Sequence, residues 1–290
     1  MQSALDPAGP AAALIAEIAW VLFAGGAIIF CAVMALAGFA VFSRKREKLS
    51  SRALILGGGI AFPVVVLSAL LVYSLARMNT LEATAEPALR IEVIGEQWWW
   101  RVRYPEFETA NEIRIPVGKA VELELKSADV IHSFWVPALA GKLDMVPGRT
   151  NRLRVQADRT GEFRGQCAEY CGGPHAFMAF FVVALSAEDF EKWAAKQREP
   201  ASRASDSFNK NCGACHTIRG TSAAGVRGPD LTHVGSRRTI GAALLPMNRG
   251  ALAGWIASSQ HLKPGNLMPS FAMLPGEELA ALAEYLEGLK

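Results

Sequence analysis

The chain has 290 residues, of which 51% are hydrophobic and 20% are charged. This composition is too apolar for an ordinary soluble protein and too polar for a protein made only of membrane spans, so it predicts a membrane anchor that carries soluble domains. It also excludes intrinsic disorder, and a net charge of +3 gives no reason to expect nucleic acid as a partner. Four of the five cysteines form two close pairs, which indicates metal or cofactor chemistry.

Two long apolar segments follow a short N-terminal arm, residues 1–10. We predict a transmembrane helical hairpin over residues 11–76, with spans at about 14–42 and 53–76, because each segment exceeds the roughly 20 residues that cross a bilayer. The loop between them carries five basic residues and one acidic residue, and the positive-inside rule places such a loop in the cytoplasm. Both termini and everything after residue 77 are therefore expected on the outer face of the membrane.

Residues 77–190 change to the period of a β-sheet. Apolar and polar residues alternate strictly from Val121 to Leu125, and Ile113 and Ile115 flank an arginine. Prolines and glycines punctuate the short apolar runs up to residue 185. We predict an antiparallel β-sandwich or barrel.

A cluster of metal-binding residue types lies in this domain. Cys167, Cys171, His175 and Met178 follow one another closely, and His132 lies 35 residues before Cys167. Thiolates, imidazoles and a thioether are soft or borderline ligands that suit copper better than calcium or magnesium. Zinc in a two-Cys, two-His shell and a plain disulfide are the alternatives, but the extra methionine and the β-sheet host favour copper.

At these residues the chain resembles subunit II of the haem-copper cytochrome c oxidases. The pattern C-x-E-x-C-x-x-x-H-x-x-M starts at Cys167, D-V-x-H-S starts at Asp129, and the run Gln97–Trp100 and residues 142–149 also match. The resemblance covers residues 11–190 and implies a cupredoxin fold with a dinuclear copper centre, CuA. It implies two bridging thiolates, two imidazole ligands and two weak ligands, which are Cys167, Cys171, His132, His175, Met178 and the backbone carbonyl of Glu169.

The same resemblance implies roles beside the copper site. Trp98 takes the place of the aromatic residue through which electrons enter, and we expect it to face the surface, whereas one of Trp98–Trp100 is expected in the core. The side chain of Glu169 resembles a ligand to magnesium at the interface with subunit I. Leu56 stands where many members carry a glutamate near a proton-uptake path, so we expect no proton entry through this chain.

A short helix and a linker are predicted over residues 191–205. Ser186 and Asp189 have the spacing of a helix N-cap, and a helical run follows them. The stretch Pro200–Ser205 has the composition of a short flexible linker. Residues 206–290 are helical in pattern and form a domain so small that we expect a bound cofactor to stabilise its fold.

The predicted cofactor is a covalent haem c. Its C-x-x-C-H attachment signature is formed by Cys212, Cys215 and His216, with His216 as an axial iron ligand. Met268, followed by a proline, resembles the distal ligand of class I cytochromes c. The carbonyl of Pro229 resembles the one that orients the proximal imidazole. The rival ligands are Met247, Met273 and His261, and both His261 and His233 are expected to be non-ligand residues at the surface or the haem edge.

The resemblance implies the electron-input subunit of a terminal oxidase with its cytochrome c donor fused on, located in a bacterial plasma membrane with both redox domains on the periplasmic side. Electrons would pass from haem c to CuA and on to subunit I, which holds the haem and CuB centre that reduces dioxygen. Subunit III and an upstream donor to haem c are further expected partners. The alternatives are the equivalent subunit of a CuA-containing nitric oxide reductase, and a membrane-tethered redox carrier or copper-delivery protein without a catalytic partner.

Overall fold

The computed structural model describes residues 3–42, 50–82 and 86–290. The chain divides into two compact units, one of residues 13–85 and one that joins residues 1–12 to residues 86–290. The first unit contains the membrane helices. The second contains the β-sheet domain and the C-terminal helical domain.

Two helices are long and apolar enough to cross a membrane, as predicted. Helix α1 covers Pro10–Phe42, and the second helix runs without a break through α2 (Ser51–Ala53), a π-helical segment (Leu54–Ala61) and α3 (Phe62–Glu82). The π-helical segment ends two residues before Pro63, which has no backbone N–H to donate and so favours such an irregularity in the preceding turn. The second helix therefore ends later than residue 76, and most of the basic loop, residues 43–49, lies outside the described residues.

The single charged residue of the first span is paired across the hairpin. Glu17 accepts a hydrogen bond of 2.9 Å from the Tyr73 hydroxyl and forms an ion pair with Arg77. An unpaired carboxylate is costly in an apolar surrounding, so this cluster ties α1 to α3.

The middle domain is the predicted β-sandwich. One sheet has the strand order β3-β2-β1-β5-β8 and the other has the order β4-β10-β9-β6-β7. The ten strands are β1 (Leu89–Glu96), β2 (Trp99–Arg103), β3 (Glu108–Ala110), β4 (Glu112–Pro116), β5 (Val121–Ser127), β6 (His132–Trp135), β7 (Leu143–Met145), β8 (Asn151–Val155), β9 (Gly161–Cys167) and β10 (Ala179–Leu185).

The sandwich core is built from the inward-facing residues of both sheets. Val93 and Leu123 from one sheet and Ile113 from the other are fully buried, as the alternating pattern requires. Trp100 packs edge-on against Phe134 and Phe180, which places one tryptophan of the Trp98–Trp100 run in the core as expected.

Two flanking segments belong to this domain. The N-terminal arm is fixed by a hydrogen bond from the Ala8 amide to the Ala138 carbonyl. Helix α4 (Ala187–Arg198) starts at the predicted N-cap, where the Ser186 hydroxyl accepts from the Asp189 amide, and it packs on the sandwich core through Phe190. The boundary between the domains therefore lies after α4 rather than at residue 190.

The C-terminal domain has three helices, α5 (Asp206–Asn211), α6 (Arg249–Leu262) and α7 (Gly276–Gly288), and a two-stranded ribbon of β11 (Thr239–Ile240) and β12 (Leu245–Pro246). Its core includes Phe208, Ile256 and Leu282. The stretch that the sequence predicts as a flexible linker is tied to this domain, since the Ala201 amide donates to the Arg219 carbonyl.

Candidate functional site

Sheet topology brings the predicted copper ligands together. His132 opens β6 and Cys167 closes β9, and these two strands are antiparallel neighbours in which Phe134 pairs with Cys167. The loop between β9 and β10 then carries Cys171, His175 and Met178 back over the same edge of the sheet. Residues 35 positions apart in the sequence therefore reach one site.

The donor atoms form a compact cluster. Cys167 Sγ lies 3.7 Å from Cys171 Sγ and 3.8 Å from His132 Nδ1. Cys171 Sγ lies 3.4 Å from His175 Nδ1 and 3.8 Å from Met178 Sδ. The donor atoms of His132, Cys167 and Cys171 all lie within 4.8 Å of one another, and the three residues are buried.

The pKa values of the two thiols are shifted in opposite directions. Hydrogen bonds from Cys171 and His132 lower the pKa of Cys167 to about 3, while the neighbouring thiolate and burial raise the pKa of Cys171. Burial alone would lower the pKa of His132, but hydrogen bonds with Asp129 and Cys167 raise it to about 9. The second nitrogen of this ring lies 2.7 Å from Asp129 Oδ1, which fixes the ring with Nδ1 toward the thiols.

The donor set fits a soft metal such as copper. It combines two sulfurs that face each other, one imidazole on each side and a thioether. The backbone carbonyl of Glu169 also points to the cluster, 3.2 Å from Cys167 Sγ. The carboxylate of Glu169 turns away, is exposed and lies 3.4 Å from Lys142 Nζ.

A glycine that sequence reasoning missed is needed here. A Cβ added at Gly95 would lie 2.7 Å from His132 Cδ2, which is closer than real contacts allow. The side chain of His132 therefore packs directly on the β1 backbone. The need for glycine at position 95 follows from the pairing of β1 with the loop after β5, which the sequence alone does not show.

The haem-attachment residues follow the end of α5. The ring nitrogen Nδ1 of His216 donates to the Pro229 carbonyl at 2.9 Å, which is the predicted pairing and leaves Nε2 free for a metal. Burial lowers the pKa of His216 and so favours the neutral, ligating form. A Cβ added at Gly228 would lie 2.5 Å from His216 Cε1, so the backbone there closes against the ring. Cys212 and Cys215 are free thiols.

Burial separates the predicted distal ligand from two of its three rivals. Met268 is half-buried against the core of the C-terminal domain, and its carbonyl accepts from the Ser259 hydroxyl and the Gln260 side chain. Met273 is 78% exposed and His261 is exposed, whereas Met247 is half-buried like Met268. His233 was expected at the surface or at the haem edge. It is buried, with Nε2 3.0 Å from the Glu199 carbonyl.

Trp98 lies between the two domains instead of facing the surface. Its indole N–H donates to the Cys171 carbonyl at 2.9 Å, and a Cβ added at Gly172 would touch the same ring at 3.0 Å. A Cβ added at Gly265 would lie 3.7 Å from Trp98 Cη2, and the backbone carbonyl of Trp98 accepts a hydrogen bond from Lys263 Nζ at 2.6 Å. Trp98 thus contacts the cysteine loop through its indole and Lys263, where the loop to Met268 begins, through its carbonyl.

Charged residues surround this contact. Arg101 donates to the Val226 carbonyl at 2.9 Å and Arg114 donates to the Ser236 carbonyl at 3.0 Å. From the other domain, Arg238 bonds to Glu112 and Glu162. Glu112 is only 3% exposed, and burial raises its pKa. The net charges, −2 over residues 53–200 and +3 over residues 201–290, gave no indication of these specific pairs.

Comparison with known proteins identifies the chain. Residues 107–185 match the family model for the periplasmic domain of cytochrome c oxidase subunit II, and residues 201–290 match the cytochrome c model. Cytochrome c oxidase subunit 2 of Bacillus subtilis is 33% identical over 247 residues, which are 78% of this chain and 69% of that protein. The chain belongs to the cytochrome c oxidase subunit 2 family. The resemblance given by its sequence motifs, including the fused cytochrome c domain, is confirmed.

Other members show the extent of the similarity. Cytochrome c oxidase subunit 2 of Alkalihalophilus pseudofirmus is 42% identical over 211 residues, which are 69% of this chain and 61% of that protein. The periplasmic domain of subunit II of the Bradyrhizobium japonicum cytochrome oxidase is 34% identical, covers 39% of this chain and 96% of that one, and has a TM-score of 0.38. The two family matches imply CuA and haem c as cofactors, and the apolar helices fit a membrane-anchored bacterial protein.

Proposed function

We propose that this subunit 2 family member carries electrons from a covalent haem c in its C-terminal domain to a CuA centre in its β-sandwich. The observation that carries the proposal is the position of Trp98, whose indole donates to the Cys171 carbonyl and whose own carbonyl accepts from Lys263, where the loop to Met268 begins. Both sites lie in one compact unit. A site built for single-electron transfer needs a rigid contact of this kind.

The residues that hold each group follow from the donor sets. The copper ligands are those that the sequence predicts, namely Cys167, Cys171, His132, His175, Met178 and the Glu169 carbonyl. The haem is attached through Cys212 and Cys215, with His216 and Met268 as axial ligands. When bound, these groups supply reversible one-electron chemistry, and a Met/His ligand pair raises the haem potential.

The chain's own residues keep the geometry fixed. Asp129 holds the ring of His132 and Pro229 holds the ring of His216, so neither imidazole has to reorient when charge changes. The ten-stranded sandwich supports the copper loops from below. We infer that these supports allow electron transfer with little movement of atoms.

The proposal extends to partners. Electrons leave toward subunit I, which reduces dioxygen to water at its haem and CuB centre, with subunit III and an upstream donor to haem c completing the assembly. The exposed carboxylate of Glu169, free to turn from Lys142, is proposed to bind magnesium at the interface with subunit I. Both termini and both redox domains are proposed to lie on the periplasmic side.

Metal and haem analysis of the purified full-length chain tests the proposal. We expect two copper ions and one haem that acid acetone does not extract, and we expect a larger haem-bearing subunit to co-purify. Zinc in the cysteine site, or haem that is extracted, would contradict the assignment. A chain that holds both groups but never co-purifies with a haem-bearing subunit would favour a free-standing redox carrier.

A further inference from the structure

A buried lysine connects the two redox domains. Lys263, at the end of α6, is only 2% exposed, which is rare for a lysine. Its ammonium donates to three backbone carbonyls, those of Trp98 at 2.6 Å, Phe177 at 2.8 Å and Gly241 at 3.0 Å. Trp98 and Phe177 belong to the β-sandwich domain, whereas Gly241 belongs to the domain of Lys263 itself.

The geometry uses the full donor capacity of the side chain. A lysine ammonium has three N–H donors and no acceptor, so three converging carbonyl oxygens satisfy it completely. Burial lowers the pKa of Lys263 to about 7, which reflects how far the closed contact removes the amine from water. A buried amine without these partners would be strongly unfavourable, so the arrangement persists only while the domains are in contact.

The position of the three carbonyls gives the lysine its role. Phe177 directly precedes the predicted copper ligand Met178, and Lys263 begins the loop that leads to Met268. Trp98, another of the three partners, is the residue whose indole donates to the Cys171 carbonyl. We propose that Lys263 is the positioning residue that holds the cytochrome c domain on the copper loop in the arrangement that allows electron transfer.

This inference rests on the proposed function, and its test separates the two. The unaltered full-length chain must first show the copper and haem spectra, since their absence would defeat the proposed function whatever Lys263 does. Lys263→Met keeps an unbranched aliphatic side chain and removes all three donors, so that the three carbonyls lose the hydrogen bonds from the lysine. Lys290→Met, at an exposed lysine of the same domain, is the matched control.

Two readouts follow domain contact. The Ala179 amide donates to the Ala242 carbonyl across the interface at 3.3 Å, so its hydrogen exchange reports separation without any need for a cofactor. In Lys263→Met we expect this exchange to accelerate about tenfold, equivalent to about 1.4 kcal/mol, and transfer from haem to copper to slow. The copper and haem spectra are expected to stay as in the parent, and Lys290→Met is expected to match the parent in both readouts.

Several outcomes would overturn the inference. Parental exchange and transfer in Lys263→Met would show that the lysine does not hold the domains together. A changed copper spectrum with parental exchange would place its role inside the copper loop. If Lys263→Met does not accumulate, Lys263→Gln, which retains an amide N–H₂, decides by the same readouts: intermediate values support the role and parental values refute it.

Discussion

Replacing Trp98 by phenylalanine tests the contact between the two redox sites. The change keeps an aromatic ring but removes the indole N–H that donates to the Cys171 carbonyl at 2.9 Å. One such hydrogen bond contributes about 1 kcal/mol, which is small beside a typical unfolding free energy of about 5–15 kcal/mol. We therefore expect the fold and the copper content to persist while electron transfer into the copper site slows, by at most about fivefold if the whole of this roughly 1 kcal/mol is added to the activation free energy.

The neighbouring tryptophans supply matched controls. Trp99 lies under the guanidinium of Arg101, 4.7 Å from the ring centroid, and phenylalanine would retain that ring face, so Trp99→Phe should transfer electrons as the parent does. Trp100 is 1% exposed in the core, so Trp100→Phe should lower the free energy of unfolding by about 1–3 kcal/mol through a cavity.

The assay is rapid photoreduction of the haem followed by optical detection of copper reduction, with unfolding and metal content measured on the same samples. Equal transfer rates in the parent, Trp98→Phe and Trp99→Phe would refute the reasoning. So would loss of copper from Trp98→Phe, because it would make Trp98 a structural part of the metal site.

Three further predictions concern the separate sites and the contact between them. Cys171→Ser should abolish the dinuclear copper spectrum and leave the haem spectrum intact, because the sites share no predicted ligand; loss of both spectra would count against two separate sites. Met268→Ala should lower the haem potential and leave the haem covalently attached, as redox titration and acid-acetone extraction can check, and an unchanged potential would point to Met247 instead. Electron transfer within the intact chain should depend weakly on ionic strength, because Glu112 and Lys263 are buried where salt screens little. A chain ending near residue 200 should accept electrons poorly from added cytochrome c, because it lacks the tethered donor. A steep salt dependence of transfer in the intact chain would contradict this prediction.

Local sequence patterns can predict which candidate ligands lie close together for a physical reason. Cys167 to Met178 and Cys212 to His216 are short stretches in which spacing along the chain nearly determines spacing in the fold. His132 is farther away in the sequence. It reaches Cys167 because β6, which it opens, pairs antiparallel with β9, which Cys167 closes. The ligand cluster was therefore within reach of sequence reasoning, and so was the β-sandwich that supports it.

The contact between the domains was beyond such reasoning. Lys263 and Trp98 are 165 residues apart, and the lysine binds a backbone carbonyl, which no side-chain pattern encodes. The net charge of a domain does not show which charged residues pair across the contact, such as Arg238 with Glu162. The composition of residues 200–205 likewise predicted a flexible linker. In the structure the Ala201 amide donates to the Arg219 carbonyl, a partner that only the folded cytochrome c domain presents.

The central claim, that electrons pass between two sites of one chain, is tested most directly by pulsed reduction of the purified full-length protein at several protein concentrations. The account predicts that the reduced haem signal decays as the copper centre becomes reduced, with a first-order rate that does not change with protein concentration. A rate proportional to concentration, or a haem that stays reduced while the copper centre remains oxidised, would contradict it.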